Sequence, residues 1–563
     1  MKPNQGKYIP FRQIALPARA WPGRAIERAP AWCSVDLRDG NQALVNPMSV
    51  QKKLEFFQIL CEIGFKEIEI GFPSASDAEF ETCRRLIEDG LIPDGVRVQV
   101  ITQAREHLIR KTFEAVRGAK EVIVHLYAPI STLQREVVFE KDMDGIIQIA
   151  VDSAKLIHDL AQADQGRTKY IFEYSPESFS GAEVENSVRI IDAVMEAFQA
   201  SEEKPAIIDM TATVELCTPN TFADQVEYVL AHMKSRKAAI ASVHPHNDRG
   251  TGVACAELAL LAGAERVEGT LFGNGERTGN ADLITLALNL FTQGIDPGLD
   301  LSNLPALRES YERLTGMRVH ERQPYSGDLV FTAFSGSHQD AIRKGRSFME
   351  RRGEQRWMVP YLPIDPADIG RQFDPIVRIN SLSGKGGAAF VMQEAFGYRL
   401  PRGMHAEFGA LVQAACERKG EELSNQELYE VFRQNYLDFP ARYRLLGQSF
   451  FSESGENGSS VRFQGRLEEN AENSRVIALE GMGNGPIDAF FNALRGASIA
   501  GYTFLSYDEH AISAGSDAQA IAYIELKTQK GGAIYGVGIA PNINMASIQG
   551  VLGAINRAEH LGL

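Results

Sequence analysis

The stretch "AAIASVHPHNDRGTG" (238–252) holds the key to the fold. It opens as an apolar run suited to a buried strand and passes straight into two histidines two positions apart. A polar, glycine-rich segment follows, and then "TGVACAELALLAGA" (251–264), which reads as a helix. A strand whose far end carries ionisable residues just before a helix is one unit of a βα fold. The question is whether the chain repeats that unit.

It does. Seven further strand-like runs are "WCSVDL" (32–37), "KEIEIGF" (66–72), "VRVQVIT" (96–102), "KEVIVHLYA" (120–128), "KYIFEYS" (169–175), "AIIDMTA" (206–212) and "RVEGTLF" (266–272). Amphipathic stretches such as "SVQKKLEFFQILCEIG" lie between them. Eight strand–helix units predict a closed (β/α)8 TIM barrel over residues 1–330. A doubly wound open sheet is the alternative, and the count of eight favours the barrel.

Beyond it the rhythm breaks. Residues 331–445 read as small helical linker subdomains, with a helix carrying the basic run "RKGRSFMERRGEQR" and a Pro-rich "VPYLPIDPADIG". "GQSFFSESGENGSS" (447–460) reads as a linker. The remainder of 446–563 predicts two strand-rich units, each closed by a helix, in a separate α+β domain. The first helix follows "GMGNG", with Pro486 in its first turn.

Length and composition agree. At 563 residues the chain is too long for one core and needs two or three domains. Hydrophobic residues are 44% and charged residues 23%, as in soluble globular proteins. The net charge of −15 argues against a nucleic-acid surface. No apolar run reaches the ~18 residues of a membrane span, and the N-terminus has no apolar signal region. The expected location is the cytoplasm. The six cysteines form no C-x-x-C pair, so neither a zinc knuckle nor a disulfide framework is indicated.

Barrel enzymes act at the C-terminal ends of their strands. There this sequence places Arg38, Asp39, Asn41 and Gln42 after strand 1, His125 on strand 4, Ser175 and Glu177 after strand 5, and Thr213 and Glu215 after strand 6. Strand 7 ends in His244 and His246, and strand 8 in Asn274, Glu276 and Asn280. Side chains at i and i+2 on a strand share a face. With Asp39 across the barrel, His244 and His246 would form a two-histidine, one-carboxylate site for a divalent metal with room for substrate. The plain alternative is a polar turn in which Asn247 and Asp248 cap the next helix. Arg38 suits a developing oxyanion or, more simply, a surface ion pair. "LFGNGERTGN" (271–280) lacks the dinucleotide spacing, but its backbone amides could approach an anion. "SLSGKGG" (381–387) lacks the rest of a P-loop and reads as a basic loop.

"DLRDGNQAL", "YSPESFSG", "ATVE", "HPHNDRGTG" and "GNGERTGNADL" together resemble the α-isopropylmalate synthases, acyl-CoA-dependent carboligases with a metal-binding barrel. "HERQPYSGDLVFTAFSGSHQDAI", "VPYLPIDP" and "INSLSGKGG" resemble the linker segments of their longer branch. "GNGPIDA" and "AINR" resemble its leucine-sensing domain. The similarity runs from about residue 8 to 560. The barrel set is shared with homocitrate and citramalate synthases, and the later segments narrow the assignment.

The resemblance implies a divalent cation (Mg or Mn, or Zn) held by Asp39, His244, His246 and Asn280, with K+ as an activator. It implies acetyl-CoA and 2-oxoisovalerate as substrates, Arg38 as alkoxide support, and His125, Ser175 and Thr213 as the lining of the keto-acid pocket. His338 and Tyr361 are the implied base-side residues, reaching the partner's barrel in a homodimer, with Glu177 as a competing base or relay. Leucine is the implied effector, with no nucleic-acid or membrane partner. One departure stands out: Asp209-Met210-Thr211 replaces the Asn-Leu-Pro-like stretch usual before "ATVE". It bears on which keto acid is preferred and keeps a citramalate-type activity as the alternative.

Overall fold

The computed structural model describes residues 11–333, 336–373, 385–419, 423–455, 458–470, 474–512 and 519–563. Eight parallel strands close into a barrel in sequence order. They are β1 (Ala31–Ser34), β2 (Glu67–Gly71), β3 (Arg97–Gln103), β4 (Glu121–Pro129), β5 (Lys169–Glu177), β6 (Ala206–Ala212), β7 (Ala239–Pro245) and β8 (Arg266–Gly269). β1 closes the ring on β8, with Trp32 opposite Val267. Each expected strand is present. The first and last are shorter than their apolar runs, because Asp36–Gly40 folds into a tight helical turn and Leu271–Gly273 into a 3-10 turn.

The helices form as local chemistry dictates. Val50–Ile63 starts behind Ser49, whose side chain accepts from the Lys52 amide, and stops at Gly64 in the left-handed conformation. Asp142 caps Met143–Ala163 in the same way.

The barrel interior is unusual in its charge. Arg266, Glu67, Glu69, Glu173, Glu268 and Gln99 are all buried. The Arg266 guanidinium donates to Glu67 (2.6 Å), Glu268 (2.9 Å), Ser242 (2.9 Å) and Gln99 (2.6 Å). Gln99 in turn donates to Glu268 (2.8 Å) and Glu69 (3.1 Å). A buried charge is tolerated only when paired and hydrogen-bonded.

The chain divides into two compact units, Met1–Phe331 with Ile364–Gln372, and Thr332–Pro363 with Phe373–Leu563. In the second unit the helices Lys385–Phe396, Met404–Lys419 and Asn425–Tyr436 pack around Met392, Phe408 and Phe432. The first begins at Lys385, within the segment read as a basic loop; residues 381–384 of that segment lie outside the described residues.

Two three-stranded antiparallel sheets follow. β9 (Tyr443–Gly455), β10 (Gly458–Glu469) and β11 (Arg475–Gly483) precede the helix Pro486–Gly496. β12 (Thr503–Ala511), β13 (Ala520–Lys527) and β14 (Ala533–Ala540) precede Ile543–Leu561. The expectation of two strand units each closed by a helix holds. The expected linker at 447–460 instead holds the end of β9 and the start of β10; residues 456–457 lie outside the described ones. Among the described residues no helix is long and apolar enough to cross a membrane.

The buried charge layer gives a stability test. Arg266→Ala removes the guanidinium that Glu67, Glu173 and Glu268 share in the closed interior and should cost ~3–5 kcal/mol, read by denaturant unfolding. A loss under 1 kcal/mol would show that Arg266 is dispensable to the barrel.

Candidate metal centre and active site

The turn after β1 presents Arg38 and Asp39 at the barrel mouth. It is pinned by Asp36, whose carboxyl accepts from the Leu271 amide (3.1 Å) and the Ser34 hydroxyl (2.8 Å) and so ties the β1 and β8 loops together. Burial pushes Asp36 up to about 7, and these hydrogen bonds pull the other way. The Arg38 guanidinium donates to Glu69 and, at 2.9 Å, to Asp39.

Opposite, β7 delivers His244, and His246 follows as a bridge partner of Asn280. The imidazoles lie near-parallel with centroids 5.2 Å apart. Asp39 Oδ2 is 3.8 Å from His244 Nε2 and 3.5 Å from His246 Nε2, and it accepts from Asn280 Nδ2 at 2.6 Å. All three ligand atoms of Asp39, His244 and His246 lie within 4.8 Å of one another.

The donor set fits a divalent cation. His244 Nδ1 donates to Glu268 Oε2 at 2.8 Å, which orients the ring so that Nε2 faces inward. There Nε2 donates its proton to Asn280 Oδ1 at 2.6 Å, and a cation taken up by the site would displace that proton. Burial opposes a charged His244, yet Asp39 and Glu268 outweigh it and hold the ring well above its usual range. Burial, reinforced by His244, pushes His246 down to about 3, leaving it neutral. Burial also opposes the Asp39 carboxylate, but Arg38 and His244 hold it well below the usual range. A carboxylate and a neutral imidazole on one point suit a hard or borderline divalent ion.

Beside this set lies a cavity of about 310 Å³, lined on its polar side by Arg38, His125, Ser175, Glu177, Thr213 and Arg277. Phe72, Ile101 and Tyr127 give it an apolar wall. His125 Nε2 is 2.7 Å from Ser175 Oγ, which donates to Asp209 at 3.0 Å; on its other side His125 Nδ1 meets Glu69 at 2.8 Å. The Thr213 hydroxyl accepts from the Ser178 amide (2.8 Å) and donates to Thr211 (3.2 Å). Burial raises the Glu177 carboxyl, as a general base or relay requires.

Eight of the eleven residues expected at the site, together with Asn280 in its wall, are thus brought to one place. His338 and Tyr361 belong to the second unit, where both are exposed and their rings stack at 4.0 Å. The plainer reading of the His-x-His loop is also partly realised: Asn247 Oδ1 accepts from the Gly252 amide at the next helix. Asp248 does something else, accepting from the Glu215 amide and from Arg277. Sequence reasoning missed Glu69, Gln99, Arg266 and Glu268. Their signal was present: Glu67 and Glu69, and Arg266 and Glu268, alternate along strands that otherwise read as buried.

The second unit has its own cavity, about 490 Å³, at the N-terminal ends of the two closing helices. Phe491, Phe504 and Ile543 give it apolar surface, and Asp488, Glu509 and Asn544 bring polar groups.

Comparison with known proteins fits this arrangement. The HMGL-like family matches residues 29–310. The family described as alpha-isopropylmalate synthase, post-catalytic domain-like, matches 328–393, and the LeuA allosteric (dimerisation) domain matches 422–559. The 2-isopropylmalate synthase of Clostridium acetobutylicum is 48% identical over 556 residues, covering 98% of this chain and 99% of the relative. That of Rhodospirillum rubrum is 50% identical over 551 residues, covering 98% of each. With the barrel, its metal-type donor set and both later segments matched in order, the chain belongs to the 2-isopropylmalate synthase family, enzymes of leucine biosynthesis.

Proposed function

We propose that residues 1–330 condense acetyl-CoA with 2-oxoisovalerate and release CoA and 2-isopropylmalate, that 331–445 link, and that 446–563 sense leucine in a cytoplasmic homodimer. The observation that carries the catalytic part is the convergence of Asp39, His244, His246 and Asn280 beside the Arg38 cavity.

When bound, a divalent cation on these four residues (Mg or Mn, or Zn) would supply Lewis-acid polarisation of the keto group. Arg38 stands next to it and offsets the charge of the alkoxide that forms. His125, Ser175 and Thr213 hold the keto acid's polar end, and Phe72, Ile101 and Tyr127 exclude water around its branched chain. The His338–Tyr361 pair, contributed by the partner subunit, removes a methyl proton of acetyl-CoA, and Glu177 relays it. The enolate carbon then bonds to the keto carbon, and hydrolysis of the thioester frees CoA. The helix-end cavity would take leucine, its side chain against Phe491 and Phe504 and its carboxylate at a helix N-terminus.

His246→Ala should abolish turnover and cation binding while leaving the circular dichroism spectrum unchanged; full activity would refute the metal assignment. Glu268→Gln, which unties the His244 tautomer, should weaken the cation ~10–100-fold, measured by chelator competition. Mixing Asp39→Asn with His338→Ala protein should restore CoA release that neither shows alone, if each active site draws on two chains. A CoA-release panel over keto acids, with and without leucine, tests the substrate: pyruvate exceeding 2-oxoisovalerate in kcat/KM would favour the citramalate-type alternative.

A further inference from the structure

Among the described residues one lysine is buried, Lys53 on the helix Val50–Ile63. Its ammonium donates to Glu79 Oε1 at 2.7 Å. Burial pulls the Lys53 ammonium down, and Glu79 opposes that pull. A buried ion pair is commonly no more stabilising than two well-packed apolar side chains. Neither residue lines the Arg38 cavity. What the pair holds is the more informative question.

Glu79 is the third residue of the helix Asp77–Glu88, which Ser76 caps. Ser76-x-x-Glu79 has the spacing of a capping box, and the Ser76 hydroxyl does accept from the Glu79 amide at 3.3 Å. The carboxylate goes elsewhere. Its Oε2 accepts from the Phe72 amide at 3.0 Å, while Oε1 takes Lys53. The register of β2 on β3 shifts between Glu69 and Gly71, so Phe72 follows a strand end that has left regular pairing. Gly71 makes room for this contact: a Cβ there would strike the Glu79 carboxylate. Phe72 is thereby delivered to the Arg38 cavity, where it forms the apolar wall with Ile101 and Tyr127. Asn41, straight after the Arg38-Asp39-Gly40 turn, also aims its amide at Glu79 Oε1, at 3.5 Å.

We propose that Lys53 and Glu79 are positioning residues for substrate selection: Lys53 orients the Glu79 carboxylate, which holds the Phe72 amide and so sets the ring that packs against the branched chain of the 2-oxo acid. The inference rests on the reading of the Arg38 cavity as the keto-acid pocket. A pair that only stabilised the fold would change the melting temperature and leave the choice among keto acids alone. A pair that places Phe72 changes that choice and spares the chemistry at the keto carbon. A keto acid one methyl shorter reaches the wall less and depends on it less.

The test measures kcat and KM of the full-length protein, with saturating Mn2+ and acetyl-CoA, for 2-oxoisovalerate and for 2-oxobutyrate, which lacks one methyl. One methyl in an apolar pocket is worth about 10–200-fold in kcat/KM. Lys53→Met with Glu79→Leu removes the pair without leaving either charge buried alone. It should lower the preference for 2-oxoisovalerate about tenfold, through KM with kcat kept. Lys53→Met with Glu79→Gln keeps an acceptor for the Phe72 amide and should retain the preference. Thermal melting checks folding, and Lys53→Leu with Glu79→Met replaces the first double variant should that one fold poorly. An unchanged preference in the folded first double variant, with Phe72→Ala lowering it, overturns the proposal and spares the pocket reading. Equal loss in both double variants also overturns it, because the acceptor is then not what matters. If Phe72→Ala itself leaves the preference unchanged, the pocket reading fails first and takes the proposal with it.

Discussion

Arg266 is the interaction on which the rest of the barrel depends. It is a cation at the centre of a layer holding Glu67, Glu173 and Glu268, and it is 1% exposed. Glu69, Glu173 and Glu268 lie too close for all to ionise, and their environments push them apart. Burial opposes ionisation of Glu268, but Arg266 and His244 overcome it and hold this carboxyl well below its usual range. Burial wins at Glu173, which is held well above. Glu69 stays ionised against burial because Arg38 and His125 lie beside it. The charge on Glu268 then holds an N–H of His244 on Nδ1 and turns Nε2 towards the cavity. A buried ion pair is weak evidence for stability. Here its role is to orient a histidine one step away, through Glu268.

Most of the fold was legible because the barrel obeys simple rules. Its strands are short apolar runs, its helices start at Ser49, Ser76 and Asp142 caps, and its polar residues collect at one rim. The metal-type set was legible because His244 and His246 are i and i+2 across the end of a strand. What failed to show was structure with no apolar signature. β9 and β10 carry Ser, Gly and Glu through the described part of 447–460 and are sheet by virtue of pairing, Phe451 opposite Arg462 and Phe450 opposite Phe463. Over 447–451 only every second residue is even half-buried, so the linear composition resembles a linker. The buried carboxylates were overlooked for a related reason. Charged residues in a strand are read as its solvent face, and in this barrel they point into the closed interior.

Asp209 shows how a departure in sequence acquires meaning only in place. It lies fully buried at β6, accepts from Ser175 with one oxygen, and its other oxygen has no partner. Burial, then Glu268, raise its carboxyl. It is hydrogen-bonded to the cavity lining through Ser175, whereas Thr211, two residues on, is in the lining itself. Of the three departing residues, the one that can meet a keto acid's side chain is therefore Thr211. Met210 is buried without lining the cavity at all.

The C-terminal half solves a different packing problem twice. Gly481 and Gly483 on β11 face the backbone of Pro486–Gly496 so closely that a Cβ on either would strike Ala489. Gly536 and Gly538 on β14 stand in the same relation to Gly550, Ala554 and Ala546 of Ile543–Leu561. In both cases a Gly-x-Gly strand lets a helix lie against bare backbone, and small residues on the helix return the favour. Close approach brings each helix N-terminus to the end of its own sheet, and both ends border the same cavity. Two helix N-termini and an apolar wall then meet in one space. A ligand bridging them would couple the two sheet–helix units directly, since neither helix can shift on its glycines without moving backbone against backbone.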